Sequence, residues 1–97
     1  MTAGRDATAS LIRALTRSAR AAGLALDVAG ARSAEWASAT FTGERVEIAL
    51  NASAAIQTWL AGLEEAELEL SGWCVADLAV ADAGSAVTLE ALVLRSA

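Results

Sequence analysis

The chain has 97 residues, a net charge of −5 and a sequence pI near 4.5. That length holds one two-layer domain, and the acidic balance excludes the basic stripe that nucleic acid requires and disfavours docking on anionic lipid. With no His, no Tyr and a single cysteine, Cys74, an internal disulfide and a Cys-rich metal site are excluded, and nucleophile–base pairs nearly so.

Hydrophobic residues make up 56% of the chain, but Ala supplies much of that share. The core must therefore be defined by Leu, Ile, Val, Phe41 and the three Trp. All seven positive charges are Arg. No apolar run approaches the ~18 residues of a membrane span, and the start does not read as a signal peptide.

A first helix is expected from about Asp6 to Ala22, with Asp6 as its N-cap. Leu11, Ile12, Leu15, Ala19 and Ala22 share one face, and Arg13, Thr16, Arg17 and Arg20 lie mostly on the other. Gly23 suits the left-handed position that ends a helix, and Leu24 can close a Schellman motif. Leu24, Leu26 and Val28 alternate with Ala25, Asp27 and Ala29, which reads as a first strand. Gly30 to Glu35 is small and polar and breaks that pattern. Trp36 to Thr42 is again extended in character. Two layouts fit: one long bulged strand from Leu24 to Thr42, or two short strands around a loop.

Gly43-Glu44 is a tight-turn signal, so Trp36–Thr42 is expected to pair with Arg45–Leu50 as a hairpin. Val46, Ile48 and Leu50 alternate with Glu47 and Ala49, the mark of a strand with one buried face. Asn51, or Ser53, then caps a second helix in which Ile56, Trp59, Leu60 and Leu63 recur three and four apart. Carboxylates oppose the dipole at a helix C-terminus, which ends this helix near Glu65. A third strand is expected over Leu68–Ala81, with Gly72 as a bulge or bend. In it Cys74, Ala76, Leu78 and Val80 face one way, and Val75, Asp77 and Ala79 the other. Asp82 to Ser85 reads as a turn, and Val87–Leu94 as a last strand that is largely apolar on both faces.

The order is helix, strand, strand, helix, strand, strand. This is an α+β chain of two αββ halves, the circularly permuted ferredoxin-like arrangement: a four-stranded antiparallel sheet with two helices on one face. Right-handed crossovers put the second and fourth strands in the middle and the first and third at the edges.

Residues that carry chemistry are sparse. Glu64, Glu65, Glu67 and Glu69 could hold a hard cation, but charge runs are usually solvated, and an exposed tip is the favoured reading. Asp27 and Asp77 sit within strands, and nothing places them together for acid–base work. Trp59 reads as core. Trp36 and Trp73 suit either the ends of the core or an interface, where aromatics are enriched. Cys74 reads as a small buried apolar residue rather than a redox centre. A sheet with helices on one face leaves the other face open, and here that face is expected to be short of charges. Uncovered apolar sheet and unpaired strand edges point to association. The residues expected at such an interface are Arg17, Arg20, Leu26, Trp36 and Trp73.

Three stretches resemble a known family. LIRALTRSARAAGLAL (Leu11–Leu26) resembles the opening helix and strand of the periplasmic domain of the type II secretion M protein, and VEIALNASAAIQTWLAGLE (Val46–Glu64) its second strand and helix. VTLEALVLR (Val87–Arg95) resembles its closing strand. Two departures stand against the pattern: Val28 to Glu44 is longer than expected, and Ala66-Glu67 stands where a Gly-Leu pair is common. The companion L protein ends in a similar domain, and type IV pilus assembly proteins share the fold.

The resemblance implies a non-enzymatic scaffold with no cofactor and no metal. It implies a homodimer, and a heterodimer with the L protein's periplasmic domain, within the inner-membrane platform. In that family a cytoplasmic tail and one membrane helix precede the domain, so the resemblance implies an excised periplasmic piece. A rival from another class is a ferredoxin-like regulatory domain binding a small metabolite, for which Gly30 to Ser33 is a faint candidate loop.

Overall fold

The computed structural model describes the backbone of residues 3–51, 53, 56–82 and 86–96, and the side chains of all these except 3–6 and 82. The elements in chain order are α1 (Ala3–Ala21), β1 (Val28–Ala37), β2 (Thr42–Asn51), α2 (Ile56–Leu63), β3 (Trp73–Asp82) and β4 (Ala86–Arg95). The strands form one antiparallel sheet in the order β1-β2-β4-β3. The α+β class, the single four-stranded sheet and the central placing of β2 and β4 are as the sequence led us to expect.

The end of α1 follows from its sequence. Gly23 adopts φ +82°. Its N–H donates to the Arg20 carbonyl (3.0 Å), and the Leu24 N–H donates to the Ala19 carbonyl (2.8 Å). These two bonds are the Schellman pair, and only glycine takes that backbone without strain. The helix begins at Ala3, ahead of the expected start, so Asp6 lies within its first turn and is not its N-cap.

One cluster of buried side chains holds the domain together. Ala7, Leu11, Leu15 and Ala19 enter it from α1, and Ile56, Trp59, Leu60 and Leu63 from α2. Val46, Ile48 and Leu50 of β2 join Val87, Leu89, Ala91 and Val93 of β4 in the same cluster. The strand residues share one parity, so one face of the two central strands supplies the sheet's half of the core. The Trp59 indole N–H donates to Ser18 Oγ (3.0 Å) and ties the helices together.

The edge strands depart from expectation. Residues 24–27 are not strand, and the small polar run Gly30–Glu35, read as a break, lies inside β1. It is held there by backbone pairing with β2, which side-chain hydrophobicity does not reveal. The turn falls at residues 38–41 instead of Gly43-Glu44. Ser38 Oγ accepts from the N–H groups of Thr40 (3.3 Å) and Phe41 (3.1 Å), the local bonding that favours Ser in turns. Gly43 lies within β2, opposite both Trp36 and Leu94. A Cβ there would run into the Val93 carbonyl oxygen, so close approach of the strands, not a turn, demands glycine.

Asn51 ends β2 in place of capping α2. Its side-chain amide donates to Asp27 Oδ2 (3.1 Å), and the Ser53 carbonyl accepts from the Ile56 N–H (3.1 Å). The turn expected at Asp82–Ser85 lies largely outside the described residues.

Both edge strands carry an irregularity, between Val28 and Gly30 in β1 and between Val75 and Asp77 in β3. Such bulges shift the phase of side chains by one residue. In β3 this puts Val75 with Leu78 and Val80 against the core, and it turns Cys74 and Ala76 out. The expectation that Cys74 is buried is therefore corrected: it is a free, exposed cysteine. Gly72 (φ +83°) forms the tight turn between Leu70 and Trp73, the bend of the two expected alternatives, and the bulge lies further on.

Candidate functional site

The register places three rows of side chains across the turn end and middle of the sheet face opposite the core. At the end carrying the β1–β2 turn the row is Trp36, Gly43, Leu94 and Cys74, one from each strand. The next row holds Ala34, Arg45, Leu92 and Asp77, and the third Arg32, Glu47, Glu90 and Ala79. Trp36, Leu92 and Leu94 are half-buried, and Cys74, Arg45 and Glu90 are exposed. At the tip of the adjacent turn Phe41 is 52% exposed.

This face is not short of charges, contrary to expectation. Its middle carries Arg32, Arg45, Glu47, Asp77 and Glu90, because polar residues alternate with the core positions of β2 and β4. Arg32 pairs with Glu47 at 2.9 Å, with side-chain exposures of 79% and 37%. An ion pair so exposed contributes roughly 0.5 kcal/mol or less. Apolar character is therefore confined to the turn end, where Trp36, Leu94, Leu92 and Phe41 lie.

The core side of that same end holds a second feature. Glu35 lies directly opposite Glu44 across β1 and β2, and Trp73 directly opposite Arg95 across β3 and β4. Glu44 is in phase with Val46, Ile48 and Leu50 and is only 3% exposed. Burial pushes its carboxyl pKa up, the Glu35 carboxylate pushes it further, and Arg95 opposes both. The Arg95 guanidinium sits 4.7 Å from the centroid of the Trp73 ring, a cation–π contact. A cavity of about 260 Å³ opens here, lined by Glu35, Trp36, Thr42, Glu44, Trp73 and Arg95 among others.

The residues expected at an interface are scattered. Trp36 is on the uncovered face. Trp73 is 7% exposed and belongs to the core. Leu26 precedes β1, half-buried against the core, so it does not present a strand edge. Arg17 donates to the Glu69 carbonyl (3.0 Å), holding the chain after α2 against α1. Arg20 is exposed in the last turn of α1, where a cation suits the helix dipole. Asp27 precedes β1 and Asp77 lies in β3, the strand at the other edge of the sheet, so no carboxylate pair forms from them.

Glu64, Glu65, Glu67 and Glu69 are all exposed, the solvated tip that was expected. Glu64 also accepts the Val80 N–H (2.9 Å) on the outer side of β3, covering part of that edge. Among the described residues no group of three or more His, Cys, Asp or Glu could hold a metal ion.

Reading the sequence alone missed Leu94, Phe41 and Glu44. The double apolar pattern of Val87–Leu94 already signalled Leu92 and Leu94, and Glu44 stands two residues before Val46 in the core phase. Phe41 was expected among the core residues and is corrected: it sits at the tip of the β1–β2 turn, half exposed, because its stretch is turn and not strand.

No family model matches the chain, and neither curated proteins nor solved structures yield a match.

Proposed function

We propose that this chain is a non-enzymatic association domain that pairs through the turn end of its uncovered sheet face. One observation carries this: Trp36, Leu92 and Leu94 form an apolar surface beside an exposed Phe41, and charges surround it. Apolar centre and polar rim are the anatomy of a protein interface. Aromatic anchors at its centre supply most of the binding energy.

The narrower reading is a scaffold domain of the type II secretion inner-membrane platform, periplasmic and tethered by a membrane helix. It forms a homodimer and a heterodimer with the L protein's similar domain. Its support is the resemblance in Leu11–Leu26, Val46–Glu64 and Val87–Arg95, together with the repeated αββ order. Sedimentation of the domain mixed with the periplasmic domain of the cognate L protein tests it. A mixed complex that competes with self-association is expected. A self-associating domain that ignores the L domain would remove the secretion role and leave the association reading standing.

The rival metabolite-binding reading loses its candidate loop, because Gly30 to Ser33 lies within β1.

A further inference from the structure

We infer that the outer edge of β3 is a docking site for an extended basic peptide segment of a partner, which lies in the groove between β3 and the chain that follows α2 and pairs with the strand's outward backbone groups. The surface is separate from that of the association reading, because β3 forms the edge of the sheet opposite β1 and its Trp36.

The groove is built by local geometry. After α2, residues 64–70 run back beside β3 and turn into it at Gly72, where Leu70 bridges to Trp73. At the other end Glu64 accepts the Val80 N–H (2.9 Å). Between these two ties no backbone hydrogen bond joins residues 64–69 to β3 among the described residues. The two stretches instead flank a groove of about 720 Å³. Alternate residues of an antiparallel edge strand turn both backbone groups outward, so Leu78 directs its N–H and carbonyl to the same side as Val80. Outward backbone groups of this kind are a template for a further strand. The bulge between Val75 and Asp77 limits regular pairing to the part of β3 beyond it, which includes Leu78 and Val80.

The lining decides the occupant. Leu68, Leu70, Val75 and Leu78 are half-buried against the core and give the groove an apolar floor. Glu64, Glu67, Glu69 and Asp77 stand exposed along it, and no Arg lines it among the described residues. Successive side chains of an extended peptide point to opposite sides. Alternating apolar and basic residues therefore set one series against the floor and the other against the carboxylates. A second copy of this edge would bring like carboxylates together in a chain that already carries a net charge of −5. The stretch Trp73–Leu78 spans roughly 20 Å at about 3.3 Å per residue, which suits a peptide of about six residues. Its backbone pairs with Leu78 and takes the Val80 N–H from Glu64, leaving that carboxylate to a basic side chain.

The test titrates the unaltered chain at low salt with a blocked hexapeptide of alternating valine and lysine. One control is the valine–glutamate counterpart. The other is the valine–lysine peptide with every backbone amide N-methylated, which keeps the charge and cannot donate to a strand. Two-dimensional NMR follows the backbone amides of Leu68, Leu70, Leu78 and Val80. Saturable shifts at these amides and slowed hydrogen exchange at Leu78 are expected with the valine–lysine peptide, and no binding of either control. Glu67→Gln combined with Glu69→Gln changes two exposed side chains outside the core, so the fold is kept. It should weaken binding about threefold or more, the loss of two exposed ion pairs.

No saturable shift at these amides, equal binding of either control, or an affinity unchanged by the double variant would overturn the site. A Leu78 amide already protected from exchange in the free chain at every concentration would mean that residues 64–69 close the edge themselves. Protection that appears only at high protein concentration would mean that a second copy covers it. Either result overturns the proposal.

Discussion

A methyl group at position 43 would collide with the backbone of the neighbouring strand, and that makes glycine a requirement at this position of β2. Its Cβ would meet the Val93 carbonyl oxygen, an atom that cannot rotate away. Gly43→Ala should therefore push β2 and β4 apart and cost about 2 kcal/mol or more, read as a lowered urea midpoint. Gly30 makes a useful contrast, since a Cβ there meets nothing within 4 Å. Glu44, the next residue, gives the domain a pH dependence of defined sign. Its folded pKa is raised above the usual 4.5, by burial first and Glu35 second, against Arg95. Folding thus favours the neutral acid. That contribution is complete below the unfolded value and is lost as pH rises through the folded pKa. Glu44→Gln should match the unaltered chain near about pH 4 and melt higher at neutral pH, with the gap opening between. Thermal melts of both proteins across that window check it; a gap that shrinks towards neutral pH would reverse the sign.

Among the elements, the two helices are joined by a specific bond as well as by packing. The Trp59 N–H donates to Ser18 Oγ across α2 and α1. Trp59→Phe and Ser18→Ala should each cost about 1 kcal/mol, and the double variant little more than the larger single loss, because both remove one bond. Denaturant titration of the three variants gives the cycle. The helices were legible in the sequence to a good degree. Leu11, Leu15 and Ala19, and later Ile56, Trp59, Leu60 and Leu63, repeat at the helical period and are buried. Gly23 marked its own helix end. The central strands were legible for the same reason, since Val46, Ile48 and Leu50 alternate without interruption.

The edge strands were legible in existence but not in bounds or facing, and the reason is physical. A residue such as Gly30, Arg32 or Ser33 is strand because its backbone pairs with β2, and its side chain buries almost nothing. Bulges compound the difficulty. One extra residue near Ala76 moves Val75 to the core side and Cys74 away from it, so strict alternation gives the wrong face to both. The candidate site was legible only in part. Trp36 was recognised, but its neighbours come from β4 and from the turn, and only the register brings them together. Trp73 was ambiguous because an aromatic beside a glycine suits a rim or a core end equally well.

For the whole molecule, the central claim is association through one end of the uncovered sheet face. The claim has a geometric limit: apolar residues occupy the turn end, while Arg32, Arg45, Glu47 and Glu90 cross the middle. An interface centred on Trp36 and Leu94 should therefore hold at high salt, because burial of apolar surface drives it and screening weakens only the exposed rim. The net charge of −5 opposes pairing at low ionic strength, so added salt should tighten it. The most direct measurement is sedimentation velocity of the unaltered chain and of Leu94→Glu across a range of concentrations. The half-buried Leu94 lies off the core, so the variant should remain folded. We expect a reversible dimer from the unaltered chain and a monomer from Leu94→Glu with an unchanged circular dichroism spectrum. A monomer at every concentration, or a dimer that Leu94→Glu leaves intact, would contradict the claim.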